Sequence, residues 1–299
     1  MGPVHEDLDG TLSWRQLLTE ATERFRAAGL AYPSGDARRV VEQASGASPS
    51  ELPLVLEDLV TERAVAHYDE MVRRRVQGEP LQYVLGSWSF RTLDLMVDAR
   101  VLIPRPETET VVEVALRELD RMGGREVPTM VADLGTGSGA IGLSVAVERV
   151  RTTVWLTDVS EEALAVARAN IAGIGRSGAR VQAGSGRWFE ALPQQRRGSF
   201  DLIVSNPPYI ATTAELPREV CDWEPGLALW SGSDGTDDLR ELIAGAGEWL
   251  VDHGAIVCEL SPEQGDAMGA FASGFFAEVL IEADLTGRVR AIVARRPLR

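Results

Sequence analysis

The chain has 299 residues, with 45 Asp+Glu against 30 Lys+Arg and a formal net charge of −15. Lysine is absent, so all 30 Lys+Arg positions are arginine, a bias of the kind a GC-rich coding sequence would produce. That excludes Schiff-base chemistry on a lysine and any phosphate-loop lysine, and the acidic balance argues against sequence-independent binding to nucleic acid. Hydrophobic content of 44% and charged content of 25% fit a globular protein with a real core. Cys221 and Cys258 show no metal or redox spacing, and His5, His67 and His253 are too scattered for a histidine-rich metal site. No run of apolar residues is long enough to span a membrane, and the acidic opening MGPVHEDLDG does not read as a signal peptide. The expected location is the cytoplasm.

Residues 1–80 read as a small helical domain. Ser13 is placed to cap a helix running to about Ala28, with Trp14, Leu17, Leu18, Ala21 and Phe25 on one face and Gly29 as its stop. Asp36 opens a second helix through Val40, Val41 and Ala44, ended by Gly46. A third starts at Thr61, runs through Val65, Tyr68, Met71 and Val72, and stops before Gly78. Residues 81–104 form a linker with a hairpin around Ser89–Val97, where apolar and polar residues alternate.

From residue 105 to 299 strand and helix patterns alternate, as in an α/β domain. Strands are expected at Thr129–Leu134, Thr153–Thr157, Ala179–Ala183, Phe200–Ser205 and Ala255–Leu260, with helices at Gly139–Val150, Glu161–Ile171, Leu239–Leu250 and Glu263–Phe271. Two last strands, Ala277–Glu282 and Val289–Ala294, have no helix between them. They predict a closing hairpin that adds an antiparallel strand to an otherwise parallel sheet.

The first chemical motif is VADLGTGSGAIG, at the junction of a strand and a helix. Gly135, Gly137 and Gly139 allow a tight turn and close backbone approach to a ligand, and the following helix aims free N–H groups at it. Asp158 ends the next strand, where an acid accepts hydrogen bonds from two ribose hydroxyls. The spacing of Gly137, Gly139 and Gly142 matches a dinucleotide loop, so a nicotinamide cofactor is one reading. The fuller string, with Asp133 on the first strand, resembles the S-adenosylmethionine loop of class I methyltransferases. Asp133 would repel a pyrophosphate and attract an ammonium.

The second motif is Asn206-Pro207-Pro208-Tyr209, at the carboxyl end of the FDLIVS strand, the edge where open α/β sheets bind ligands. The Asn206 amide offers a donor and an acceptor. The prolines stiffen the backbone and leave the Pro207 carbonyl as a free acceptor. Together these groups can grip a planar NH2, with Tyr209 flat against its plane. Two acceptors pulling on the N–H bonds would orient an amide nitrogen towards a sulfonium methyl, and the proton can leave after attack.

With both motifs in place, the chain resembles amino-methyltransferases that act on planar nitrogens, a group that includes DNA adenine methylases and protein glutamine methyltransferases. GEPLQYVLG (78–86), VLIPRPETE (101–109), SNPPYI (205–210), WEPGLAL (223–229) and DARRVVEQASG (36–46) are similar to the peptide chain release factor glutamine methyltransferases, in the same order along nearly the whole chain. The resemblance implies a class I methyltransferase fold: an α/β Rossmann-like seven-stranded sheet with a small N-terminal helical domain that docks the substrate. It implies methyl transfer from S-adenosylmethionine to the side-chain amide of the glutamine in the GGQ motif of a release factor, as a protein partner, without direct nucleic-acid or membrane binding. Carried over by position, Gly135, Thr136, Gly137, Ser138, Gly139, Asp158, Trp188 and Asn206 would hold the cofactor. Asn206, Pro207 and Tyr209 would be catalytic, and Pro208 would join them around the glutamine. Arg105 and Glu107 would brace the linker, with Glu224 in a similar position. The family commonly has an Asp before the Trp-Phe or Leu-Phe pair, whereas this chain has Ser185, Gly186 and Arg187 there. Trp223 replaces a Tyr, and IVCEL followed by SPEQG lacks the usual aromatic and glycine. The alternative is a paralogue using the same chemistry on another protein amide or on the planar nitrogen of a small molecule.

Overall fold

The computed structural model describes residues 12–298, and His5 lies outside them. The chain divides after Gly86 into two compact units.

The first unit is helical: α1 (Trp14–Ala27), α2 (Pro33–Ser45), the short α3 (Leu52–Val55), α4 (Glu62–Val76) and the short α5 (Leu81–Leu85). Ser13 caps α1 reciprocally with Gln16, and Trp14, Leu17, Ala21 and Phe25 form its buried face. Helix α2 starts earlier than the sequence predicts, because Pro33 suits a first helical turn. Asp36 does not open that helix but lies inside it, paired with Arg75 of α4 at 2.8 Å, both largely buried. Thr61 caps α4 as expected, and the Tyr68 hydroxyl donates to the Leu17 carbonyl at 2.7 Å, tying α4 to α1.

The second unit opens with a hairpin, β1 (Ser87–Phe90) and β2 (Leu93–Met96), followed by α6 (Thr108–Arg121). Then come β3 (Thr129–Leu134), α7 (Ala140–Glu148), β4 (Thr152–Asp158), α8 (Glu161–Gly173), β5 (Val181–Ser185) and β6 (Phe200–Ser205). The chain ends with α9 (Arg218–Trp223), α10 (Asp237–Ala246), β7 (Leu250–Glu259), α11 (Gly265–Ala272), β8 (Phe276–Ala283) and β9 (Val289–Pro297). Strand β5 begins two residues later than its pattern suggests, because residues 175–180 wind into a 3-10 turn.

The seven strands from β3 onward form one sheet in the order β5-β4-β3-β6-β7-β9-β8. The first five are mutually parallel, while β9 runs antiparallel to both β7 and β8, as the closing hairpin predicts. The core strands carry near-continuous apolar runs because helices cover both faces. From β3 the chain steps outward to β4 and β5, then returns to place β6 on the other side of β3. The reversal opens a crevice at the carboxyl ends of β3 and β6, the place where such sheets bind ligands.

Candidate active site

Both chemical motifs sit at this reversal. The glycine loop follows β3 and the Asn-Pro-Pro-Tyr segment follows β6, and the two strands are hydrogen-bonded neighbours with Asp133 opposite Val204. The Ser205 hydroxyl donates to the Leu134 carbonyl at 2.7 Å and locks the two strand ends together. Between them lies a cleft of about 450 Å³, lined by Gly135, Thr136, Gly137, Ser138, Asp158, Trp188, Asn206 and Pro208 among others. Of the other expected site residues, Gly139 is at the N-terminal end of α7, Pro207 is buried, and Tyr209, half-buried, has its hydroxyl on Glu259.

The loop is held from three sides. Thr136 N–H donates to the Thr157 carbonyl at 2.8 Å and Gly137 N–H to Asp158 Oδ2 at 2.9 Å, so β4 pins the turn. Asn170 on α8 donates to the Ser138 carbonyl at 2.8 Å and to the Met96 carbonyl at 3.0 Å, fastening the loop to the hairpin. Gly135 has φ +70°, and a Cβ there would meet the Trp188 ring at 2.9 Å. The positive φ and the close ring both require glycine.

Two acids flank the loop. Asp133 is buried, with Oδ2 accepting from the Thr136 hydroxyl at 2.6 Å and from Gly142 N–H at 2.8 Å. Its Oδ1 is buried without a partner, and burial pushes the carboxyl up to about 6. An unsatisfied acceptor at a cleft suits a cationic donor such as an ammonium. Burial also raises Asp158, whose Oδ1 accepts from Ser160 N–H at 2.9 Å.

Trp188, at φ +45° and almost fully buried, lays its ring on Gly135, and its Nε1 is buried without a partner. Arg187 precedes Trp188 in the segment after β5. Its guanidinium lies 5.6 Å from the Trp188 ring centroid and pairs with Asp238 at 2.9 Å and Glu241 at 2.6 Å. Asp238 itself lines the cleft, so α10 brings an acid to this wall from outside the motif.

Asn206 donates from Nδ2 to the Thr108 hydroxyl at 3.2 Å. The Tyr209 hydroxyl donates to Oε1 of Glu259, at the end of β7, at 3.1 Å, and the Tyr209 carbonyl accepts from Gln264 at 3.0 Å. Arg105 pairs with Glu224 at 2.5 Å, and Glu224 also accepts from Ile103 N–H at 3.3 Å. This clamp joins the segment before α6 to the segment after α9, and Pro225–Ala228 there line the cleft mouth. Glu107 lies 3.7 Å from Arg290. Thr108, Asn170, Asp238 and Glu259 are additions the sequence alone does not single out. The only local signal is Glu259, an acid ending an apolar strand.

No cluster of metal-ligating side chains occurs among the described residues. No helix among them is long and apolar enough to cross a membrane.

Comparison with known proteins agrees with this geometry. Residues 16–86 match the PrmC N-terminal domain, and residues 114–220 match the methyltransferase small domain. The release factor glutamine methyltransferase of Xylella fastidiosa (strain 9a5c) is 42% identical over 94% of this chain and 97% of its own length. That of Deinococcus radiodurans is 40% identical over 94% of this chain and 98% of its own. Among solved structures, the hMettl16 catalytic domain matches with a TM-score of 0.53 at 11% identity, covering 80% of this chain and 84% of that one. A methyltransferase from Pyrococcus furiosus matches at 0.50 and 17%, covering 70% and 92%. These two likenesses establish the fold. With near-complete coverage at about 40% identity, the chain belongs to the release factor glutamine methyltransferase family.

Proposed function

We propose that this protein transfers a methyl group from S-adenosylmethionine to the side-chain amide nitrogen of the glutamine in the GGQ motif of a peptide chain release factor, in the cytoplasm. The observation that carries this reading is the pairing, across one cleft, of a glycine loop flanked by two acids, one of them buried, with an asparagine whose NH2 faces Thr108. Asn206 donates to Thr108, which leaves Oδ1 as the acceptor it offers to the cleft. A glutamine NH2 needs acceptors rather than donors, and Oδ1 with the Pro207 carbonyl is the pair that holds it.

The residues present fit the cofactor. The partnerless Asp133 Oδ1 matches its ammonium, and Asp158 at the end of β4 matches ribose hydroxyls. The glycine loop gives the backbone close approach, and Trp188 gives an apolar wall. When bound, the cofactor supplies a methyl group on an electrophilic sulfonium. The protein's part is orientation: Asn206 and the Pro207 carbonyl fix the amide plane, and the stiff prolines keep them in place. No strong base is needed, since the amide nitrogen becomes acidic once methylated and gives its proton to water or a nearby acceptor.

The helical unit is assigned to docking the protein substrate. Its support is a surface that leaves Tyr32, Leu54 and Leu59 exposed on a unit without a catalytic motif. Leu54→Asp should raise KM for the release factor about ten-fold and leave cofactor affinity unchanged. Steady-state kinetics with unchanged KM would contradict the assignment. The function itself is tested with methyl-labelled S-adenosylmethionine. Label should pass to a release factor and not to the same factor with its GGQ glutamine replaced, and equal labelling of both would overturn the reading.

A further inference from the structure

Helix α8 buries a face built from Ala163, Leu164, Val166 and Ala167, and the same stripe ends on Asn170. An asparagine there gives up helix propensity and takes an amide out of water, so it destabilises the helix unless both of its ends are bonded. Asn170 is 5% exposed, and its amide is fully engaged. Its Oδ1 accepts from Met96 N–H at 2.8 Å, while Nδ2 donates to the Met96 carbonyl at 3.0 Å and to the Ser138 carbonyl at 2.8 Å. The Met96 N–H fixes which end of the amide is the oxygen, because one donor does not face another.

These partners belong to two parts of the cleft. Ser138 is in the glycine loop and lines the cavity. Met96 ends β2, and the chain leaving it supplies Ala99, Arg100, Val101 and Leu102 to the same cavity. The Ser138 carbonyl shares a peptide unit with Gly139 N–H, which donates to the Thr136 carbonyl at 2.8 Å. That unit is therefore held at both ends, just where the loop turns into α7. On the other side, β2 has only β1 as a strand partner. The Asn170 amide stands in for a further strand by bonding both backbone groups of Met96. Asn170 does not itself line the cavity.

We infer that Asn170 is a positioning residue for the cofactor, whose amide sets the glycine loop and the 97–102 segment at the spacing the ligand requires. The inference rests on the S-adenosylmethionine reading for the identity of that ligand, while the tether is a property of the protein alone. Alanine at this position leaves the buried Ser138 carbonyl and both backbone groups of Met96 without the amide. Aspartate has the same size and keeps an acceptor for Met96 N–H, but it brings a second oxygen against two carbonyls that need a donor. A residue acting through its shape would tolerate aspartate; a residue acting through its NH2 does not.

Asn170 and Asn206 are the only asparagines in the chain. In protein labelled with nitrogen-15 on asparagine side-chain amides, Asn206→Ala therefore assigns the Asn170 NH2. In the free wild-type protein its protons should exchange with water at least about ten-fold more slowly than in urea-unfolded protein, and more slowly again with S-adenosylmethionine bound. Exchange as fast as in the unfolded chain would overturn the tether, whether or not the protein binds this cofactor. In isothermal titration the dissociation constant for S-adenosylmethionine should rise about ten-fold in Asn170→Ala and by at least as much in Asn170→Asp. At saturating cofactor, kcat should stay within about two-fold of wild type in both variants, a split that a general loosening of the fold would not produce. Wild-type affinity in Asn170→Asp, or a loss of kcat as large as the loss of affinity, would overturn the positioning role. Should the variants fail to fold, Asn170 exchange in the wild type that does not slow on saturation with S-adenosylmethionine would overturn it equally. Absence of wild-type binding to S-adenosylmethionine would instead count against the functional reading.

Discussion

Asn206 has two ends with different obligations, one to Thr108 and one to the cleft. Truncating it removes the acceptor for the substrate and leaves the glycine loop intact, because the loop is held by Thr157, Asp158 and Asn170 instead. Asn206→Ala should therefore lower kcat by about a hundred-fold or more while the dissociation constant for S-adenosylmethionine changes by no more than about three-fold. Isothermal titration beside a transfer assay separates the two, and a collapse of cofactor binding would refute the assigned role. At this scale the sequence was informative wherever chemistry is local. The glycines, Asp158 and Asn206 declare themselves by spacing after a strand. Thr108 and Glu259 do not, because their roles exist only once α6 and the end of β7 are brought to the same point behind β6.

Elements were legible where one period dominated. Strands β3 and β6 fall on their expected residues, since short apolar runs bounded by turn residues leave little choice. Helix α6 carries no expectation from the sequence. Its Val111, Val112 and Val114 favour strand locally, while its buried positions follow a helical period that tertiary packing enforces. Strand β7 starts at Leu250 rather than Ala255, because Phe200 pairs with Leu250 across an irregular stretch of the ladder. The Arg105–Glu224 clamp also acts at this scale, holding the segment before α6 to the segment that forms the cleft mouth. Glu224 is almost fully buried and Arg105 is one-third exposed. Glu224→Ala leaves the guanidinium and Ile103 N–H without their acceptor and should cost about 1–3 kcal/mol in urea unfolding. The isosteric Glu224→Gln should cost less, and equal stability of the alanine variant and wild type would show that the clamp is not structural.

Over the whole molecule, the acidic composition resolves into two populations of carboxyl groups. Ion pairs hold some below their ordinary range, such as Glu118 beside Arg295 and Arg121 despite its burial, and Glu148 beside Arg91. Burial pushes others up, Asp133 to about 6 and Glu259 to about 7. The raised groups favour the folded state at low pH, where both states hold the proton. That advantage is lost as pH rises through the folded values, on the order of 3 kcal/mol for each group. The lowered groups act oppositely and destabilise the fold in acid. The melting temperature of the free protein should therefore peak at about pH 5 and fall towards about pH 8, with a shallower alkaline slope in Glu259→Gln. A melting temperature that climbs over this interval would contradict the burial of the two acids. The absence of lysine leaves this chemistry untouched, because the proposed reaction relies on orientation by an amide and a carbonyl and needs no amine. The most direct measurement of that claim is tandem mass spectrometry of a release factor after incubation with the protein and S-adenosylmethionine. The account predicts one added methyl group on the side-chain nitrogen of the GGQ glutamine; a methyl group on any other residue, or an unmodified glutamine after full incubation, would contradict it.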